Sequence, residues 1–131
     1  MAAACPCGSG DAFAACCRPL LRGERDAATA GELMRSRYTA FVRRDEAYLL
    51  HTWSASTRPA TVDTDGVTWL GLDVLATTGG QAADAVGTVT FAAHFRAEDP
   101  GRPDASQTLR EHSSFAREEG RWVYVDGVHD S

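Results

Sequence analysis

A chain of 131 residues, 44% apolar and 24% charged, is long enough to bury a core of its own without cross-links. Its formal charge of −5 excludes a general nucleic-acid binder, which presents a basic face. No window reaches the roughly eighteen apolar residues of a membrane-spanning helix, and MAAACPCGSG lacks the charged and apolar regions of a secretory leader, so the expectation is a cytoplasmic chain with neither membrane nor nucleic-acid partners.

The first element is CPCGSGDAFAACC, residues 5–17, which holds every cysteine in the chain. Zinc held by thiolates wants sulfurs about 2.3 Å away, hence roughly 3.8 Å from one another. In extended chain, residues two apart point the same way, so Cys5 and Cys7 can bite one ion with Pro6 keeping the link extended. Gly8 and Gly10 let the loop reverse and bring backbone amides toward the sulfurs. Cys16 and Cys17 are adjacent and converge only in a turn or at a helix start, while Ala12 and Phe13 offer a small apolar plug. Three uses compete: one zinc site with Cys5, Cys7, Cys16 and Cys17 as ligands, a pair of disulfides, or a redox role for the vicinal pair. A reducing cytoplasm argues against the second. Four protein ligands leave no position for a catalytic water, so Zn2+ is read as a structural cofactor.

The second zone, residues 26–58, is helical. Thr29 sits three residues before Glu32, as a capping box requires, and Met34, Tyr38, Phe41 and Val42 form one apolar stripe. Arg35, Arg37, Arg43 and Arg44 mostly fall off that stripe. Asp45 caps a second, short helix, EAYLLHTW, that buries Tyr48, Leu49 and Trp53.

From residue 67 the period changes to two. Leu70, Leu72 and Val74 share a face; Val89, Phe91, Ala93 and Phe95 share another, with Thr88, Thr90, Ala92 and His94 opposite. QTLREHSSFAR alternates more weakly, and RWVYVDG sets Trp122, Tyr124 and Asp126 against Val123 and Val125. The links TTGGQ, AEDPGRPDAS and EEG are short, which favours an antiparallel meander. Helices followed by such a sheet make an α+β fold, a curled antiparallel sheet wrapped by N-terminal helices. The expected organisation is a zinc knuckle at 1–23 and an α+β domain at 24–131.

Two resemblances sharpen this. CPCGSGDAFAACC resembles the SEC-C motif, the zinc knuckle at the tail of the preprotein-translocase motor ATPase and on many small bacterial proteins; the match covers Cys5, Cys7, Gly8, Ser9, Gly10, Phe13, Cys16 and Cys17. It implies those four cysteines as zinc ligands. The usual motif carries lysines between the cysteine pairs, where this chain has Asp11, Ala12, Ala14 and Ala15, so the family's basic docking surface is missing. LMRSRYTAFVRRDEAYLLHTW, WLGLDVL and RWVYVDG are similar to the YchJ-like family, in which a SEC-C knuckle precedes a cone-shaped domain of the nuclear-transport-factor-2-like superfamily. That resemblance implies a fold and a metal; the family's reaction is not established.

Such cones usually enclose an apolar pocket, for which the candidate lining here is Tyr38, Trp53, Trp69, His94, Glu111, Ser113, Trp122 and Tyr124. Each has a plainer reading. Tyr38 fits the core with its hydroxyl satisfied, and Trp122 and Tyr124 are aromatics that any sheet uses as filler. His94 opposes the apolar face of its strand and is either exposed or pocket-lining; Glu111, beside Arg110 in mid-strand, can pair with Arg35 or Arg37; Asp126 before Gly127 makes a turn. No catalytic pair is fixed at a working spacing, and no nucleophile elbow or phosphate loop is present. The expectation is therefore a non-enzymatic zinc-binding module. Its knuckle would dock a protein partner or cap the fold, and its cone would hold a small apolar ligand or a partner segment. A pocket enzyme of dehydratase or isomerase type and a homodimeric adaptor are the alternatives.

Overall fold

The structure is a computed structural model, and it describes residues 3–98 and 106–129. Most of the AEDPGRPDAS link expected from the sequence lies outside them. Four strands follow the helices: β1 (Val67–Gly79), β2 (Val86–Ala97), β3 (Ser106–Glu118) and β4 (Arg121–His129). They pair in the order β1-β2-β3-β4, all antiparallel, as the short links require.

The helices are α1 (Arg18–Leu21), α2 (Ala30–Val42) and α3 (Glu46–His51). Thr29 caps α2 by accepting from Glu32 N–H at 3.1 Å. The reciprocal half of the capping box is absent: the Glu32 carboxylate instead accepts from Ala28 N–H at 2.9 Å and from Arg25 at 2.7 Å. Asp45 caps α3 through Tyr48 N–H at 3.1 Å. Ser36, fully buried mid-helix, bonds to Leu33 C=O and to the Tyr48 hydroxyl at 2.7 Å, which locks α2 against α3 with no polar atom stranded.

The main core gathers Leu33, Met34 and Tyr38 from α2 with Leu72, Val89, Phe91, Ala93, Phe115 and Trp122 from the concave face of the sheet. A second cluster of Leu20, Ala40, Tyr48 and Leu49 joins α1 and α3 to the other side of α2. The concave face closes at β4, where Ser54 N–H donates to Tyr124 C=O at 2.7 Å and Tyr124 N–H to Thr52 C=O at 2.8 Å. This short parallel bridge carries Trp53 into the mouth of the cone.

Three departures from simple alternation matter. The β1–β2 register slips between Trp69 and Gly71 and again between Val74 and Ala76. Each slip is a bulge, and each throws a leucine outward: Leu70 and Leu75 are 46% and 48% exposed. Leu70 thus leaves the face expected for it, and Trp69 takes the inward place. A third slip between Ser114 and Phe115 lets β4 continue, so Asp126 and Gly127 lie within the strand rather than in the turn expected of them.

Candidate metal centre and cone cavity

Residues 4–12 close on themselves through Cys5 N–H to Asp11 C=O at 2.9 Å and the Ala4–Ala12 bridge. Gly8 and Gly10 make the reversal at φ 79° and 92°, a region other residues enter only with strain. Phe13–Ala15 form one 3-10 turn, after which Cys16 takes an irregular conformation and Cys17 stands at the start of α1. This turn-into-helix is the geometry that lets adjacent cysteines converge. The four Sγ atoms all lie within 4.8 Å of one another, with Cys7–Cys16 at 3.6 Å and Cys16–Cys17 at 3.9 Å. Those spacings are close to the edge of a sulfur tetrahedron around a metal and far beyond the ~2.05 Å of a disulfide bond. All four thiols are free.

The cluster is braced from α2. Thr39 Oγ1 donates to Cys17 Sγ at 3.3 Å, Arg35 donates to Cys7 C=O at 2.7 Å, and Arg43 stacks over the Phe13 ring at 4.7 Å. Hydrogen bonding from Cys17, opposed by burial, draws the Cys7 thiol down to about 4. Cys17 is pushed up, first by its bond to Cys7 and then by burial. The Cys7 thiolate forms readily while the Cys16 and Cys17 thiols are held up, and a bound cation would favour their thiolates as well. The donor set fits a metal.

The second feature is a cavity of about 340 Å³ between α2 and the concave sheet face. Six of the eight candidate residues line it: Tyr38, Trp53, Trp69, Glu111, Ser113 and Tyr124. His94 does not. It pairs with Gly71 on the outer face, the exposed one of the two places its strand's alternation allowed, where Nε2 sits 2.8 Å from Asp73 Oδ2 and Nδ1 2.9 Å from Thr108 Oγ1. Trp122 does not either. It fills the core near the start of α2, its indole N–H donates to Ala28 C=O at 3.2 Å, and Arg117 stacks on it at 4.4 Å.

Ser113 Oγ donates to Glu111 Oε2 at 2.6 Å, and Glu111 Oε1 lies 3.4 Å from His129 Nε2. A Cβ at Gly127 would fall 2.5 Å from Glu111 Oε2, so only glycine lets that carboxyl settle there. Glu111 therefore does not pair with Arg35 or Arg37, as the sequence allowed. Burial pushes the phenols of Tyr38 and Tyr124 upward, Tyr124 to about 12, keeping both neutral hydrogen-bonding groups at neutral pH.

The residue that sequence reasoning missed is Arg37. It is 4% exposed, its Nη1 donates to Leu49 C=O at 2.9 Å and Thr52 Oγ1 at 2.7 Å, and its guanidinium stacks on Trp53 at 5.0 Å and Tyr124 at 4.6 Å. Burial draws it down to about 10. The signal was available: Arg37 stands three residues after Met34 and four before Phe41, on the apolar stripe itself. His129 also lines the cavity, and no periodicity pointed to it.

Comparison with known proteins finds relatives in both sequence and structure. Residues 29–127 match the family described as YchJ, middle NTF2-like domain, and residues 1–19 match the SEC-C motif. A UPF0225 protein of Streptomyces avermitilis is 52% identical over 126 residues, 95% of this chain and 84% of its own length. One from Deinococcus radiodurans is 44% identical over 125 residues, 95% and 88% of the two chains. The solution structure of a SEC-C motif containing protein from Rhodopseudomonas palustris superposes with a TM-score of 0.83 at 33% identity over the whole of both chains. The crystal structure of one from Psychrobacter arcticus gives 0.76 at 25%, covering 97% of this chain and 82% of that one. On the match over residues 29–127 and these identities, the chain belongs to the YchJ (UPF0225) family.

Proposed function

We propose that this protein is a binding module in which a structural zinc ion, held by Cys5, Cys7, Cys16 and Cys17, fixes the N-terminal knuckle onto α2 while the cone accepts a small apolar ligand. Thiolate donors favour a soft ion over magnesium or calcium, and four of them at tetrahedral spacing suit zinc. Such thiols stay reduced in a cytoplasm, which is the location this reading implies. The observation that carries the ligand half is the cavity: its volume and its largely aromatic lining with a few polar groups are those of small-molecule sites. The knuckle lacks lysines between its cysteine pairs, so its role is to cap the helical side of the cone and offer a neutral docking edge to a protein partner.

Elemental analysis of reduced protein and a thermal-shift screen against pooled apolar metabolites test the two halves separately. Zinc should be found at one ion per four cysteines, and some apolar compounds should raise the melting temperature in proportion to their occupancy. Metal-free protein with an unchanged structure would sink the first half; a cavity indifferent to every compound would sink the second.

A second reading, a dehydratase or isomerase, rests on one arrangement: the Glu111 carboxyl shares the cavity with the Tyr38 and Tyr124 phenols. Glu111→Gln should then abolish turnover of a bound ligand while leaving its binding intact. Loss of binding and turnover together would assign Glu111 to recognition instead.

A further inference from the structure

Arg37 is a buried cation without a counter-charge at hydrogen-bond distance. Only its Nη1 is used, by Leu49 C=O and Thr52 Oγ1; Nε and Nη2 make no hydrogen bond and no ion pair among the described residues. The neighbouring acid is already engaged, since Glu111 Oε2 accepts from Ser113 and Oε1 faces His129. Two further donors belong to residues that line the same cavity: the indole N–H groups of Trp53 and Trp69 are buried and have no acceptor. Leaving one buried donor unpaired is costly, and folded chains rarely leave several around one space. Elsewhere in this core the rule is kept, as the Ser36–Tyr48 bond and the Trp122 N–H bond to Ala28 C=O illustrate.

The surplus of donors specifies the complement. An acceptor-only group with two oxygens in one plane matches the free edge of a guanidinium, and beside a buried guanidinium a negative charge supplies what Arg37 lacks. The remaining wall is apolar and flat-sided: Phe41 and Tyr38 meet the Trp69 ring at 5.8 and 5.7 Å, and Phe91, Ala93 and Leu109 complete it. A bare inorganic anion would leave that wall unfilled. We infer that the cone binds a small apolar carboxylate, its carboxylate received by Arg37 and its body lying against the Trp69 wall. This deepens the cavity half of the function proposed above and rests on it.

The test titrates 15N-labelled native protein with phenylacetate, with its neutral amide phenylacetamide, and with inorganic phosphate, following the arginine Nε–H and tryptophan indole N–H resonances. Phenylacetate should shift the Arg37 and Trp53 signals saturably and bind at least about tenfold more tightly than the amide, because a hydrogen bond to a charged group is the stronger kind. Phosphate should produce no saturable shift. Arg37→Met should remove the preference for acid over amide, and Arg37→Lys should keep part of it. The comparison of acid with amide on the native chain stands even if Arg37→Met does not fold. Equal affinity for acid and amide overturns the inference and leaves the cavity reading intact; phosphate binding as tightly as phenylacetate overturns it in favour of a plain anion site. No response to any of the three overturns the inference, and failure of the apolar screen as well takes the cavity reading with it.

Discussion

The knuckle and the cone solve the same problem, gathering a few reactive groups at one point, by opposite means. In the knuckle the four sulfurs come from thirteen consecutive residues, and two positive-φ glycines plus one turn bring them together. In the cone, Arg37, Trp53, Trp69, Glu111 and Tyr124 come from α2, the segment after α3, and three strands, and only the sheet's closure onto α2 makes them neighbours. A site built locally is readable from spacing and should be held by its ion. A site built globally should be held by the core and fail only with it.

Metal removal is the largest way to break that contrast. Structural zinc contributes on the order of 10–16 kcal/mol in isolated finger peptides. Chelation at neutral pH should therefore erase amide-exchange protection over residues 5–21 and leave β2 and β3 protected. Equal loss in the sheet would make knuckle and cone one cooperative unit, with Thr39 and Arg35 as the couplers.

Phe115→Ala attacks the other side. Phe115 is 2% exposed in the main core, so truncation should cost about 3–5 kcal/mol and lower the melting temperature of the cone. The zinc content per folded chain should not change, and a parallel loss of zinc would contradict the separation.

Alkali distinguishes the regions by a different route. All three tyrosines lie in or beside the cone, and burial raises each phenol, Tyr48 and Tyr124 to about 12. A raised folded value means that the unfolded chain loses its phenolic protons first. The stabilisation is thus complete below pH 10 and disappears as pH climbs toward 12. Denaturant midpoints should fall across that window while phenolate absorbance at 295 nm stays low until unfolding. Early phenolate formation with native exchange protection would show the phenols to be more open than described.

Thr39→Val tests the seam. It removes the hydroxyl donor to Cys17 Sγ and should weaken zinc binding by about 10–100-fold with little effect on the cone's melting. Thr29→Ala, at the cap of α2, is the smallest change, costing about 1 kcal/mol and touching neither site directly.

How far the sequence reached follows from the range of the forces involved. Capping by the Thr29 and Asp45 side chains and the gathering of the cysteines are contacts within a few residues, and each emerged as read. Six of the cavity's lining residues were also legible, because aromatics and small polar groups on the inward face of a period-two strand have few other places to go. The failures are equally specific. Two bulges in β1 shifted the alternation and turned Leu70 outward; a bulge is settled by how neighbouring strands share their hydrogen bonds, not by the bulged residue. Trp122 and Tyr124 share a face, but one lies under the start of α2 and the other at the open mouth.

By itself, the order of residues determined the cysteine cluster, the starts of α2 and α3 and an antiparallel α+β layout, since these rest on local chain geometry. Only the tertiary structure decided which charge is sealed inside. Arg37 is buried because the Leu49 carbonyl, the Thr52 hydroxyl and two aromatic rings, brought together by the closing of the cone, replace part of the water it gives up.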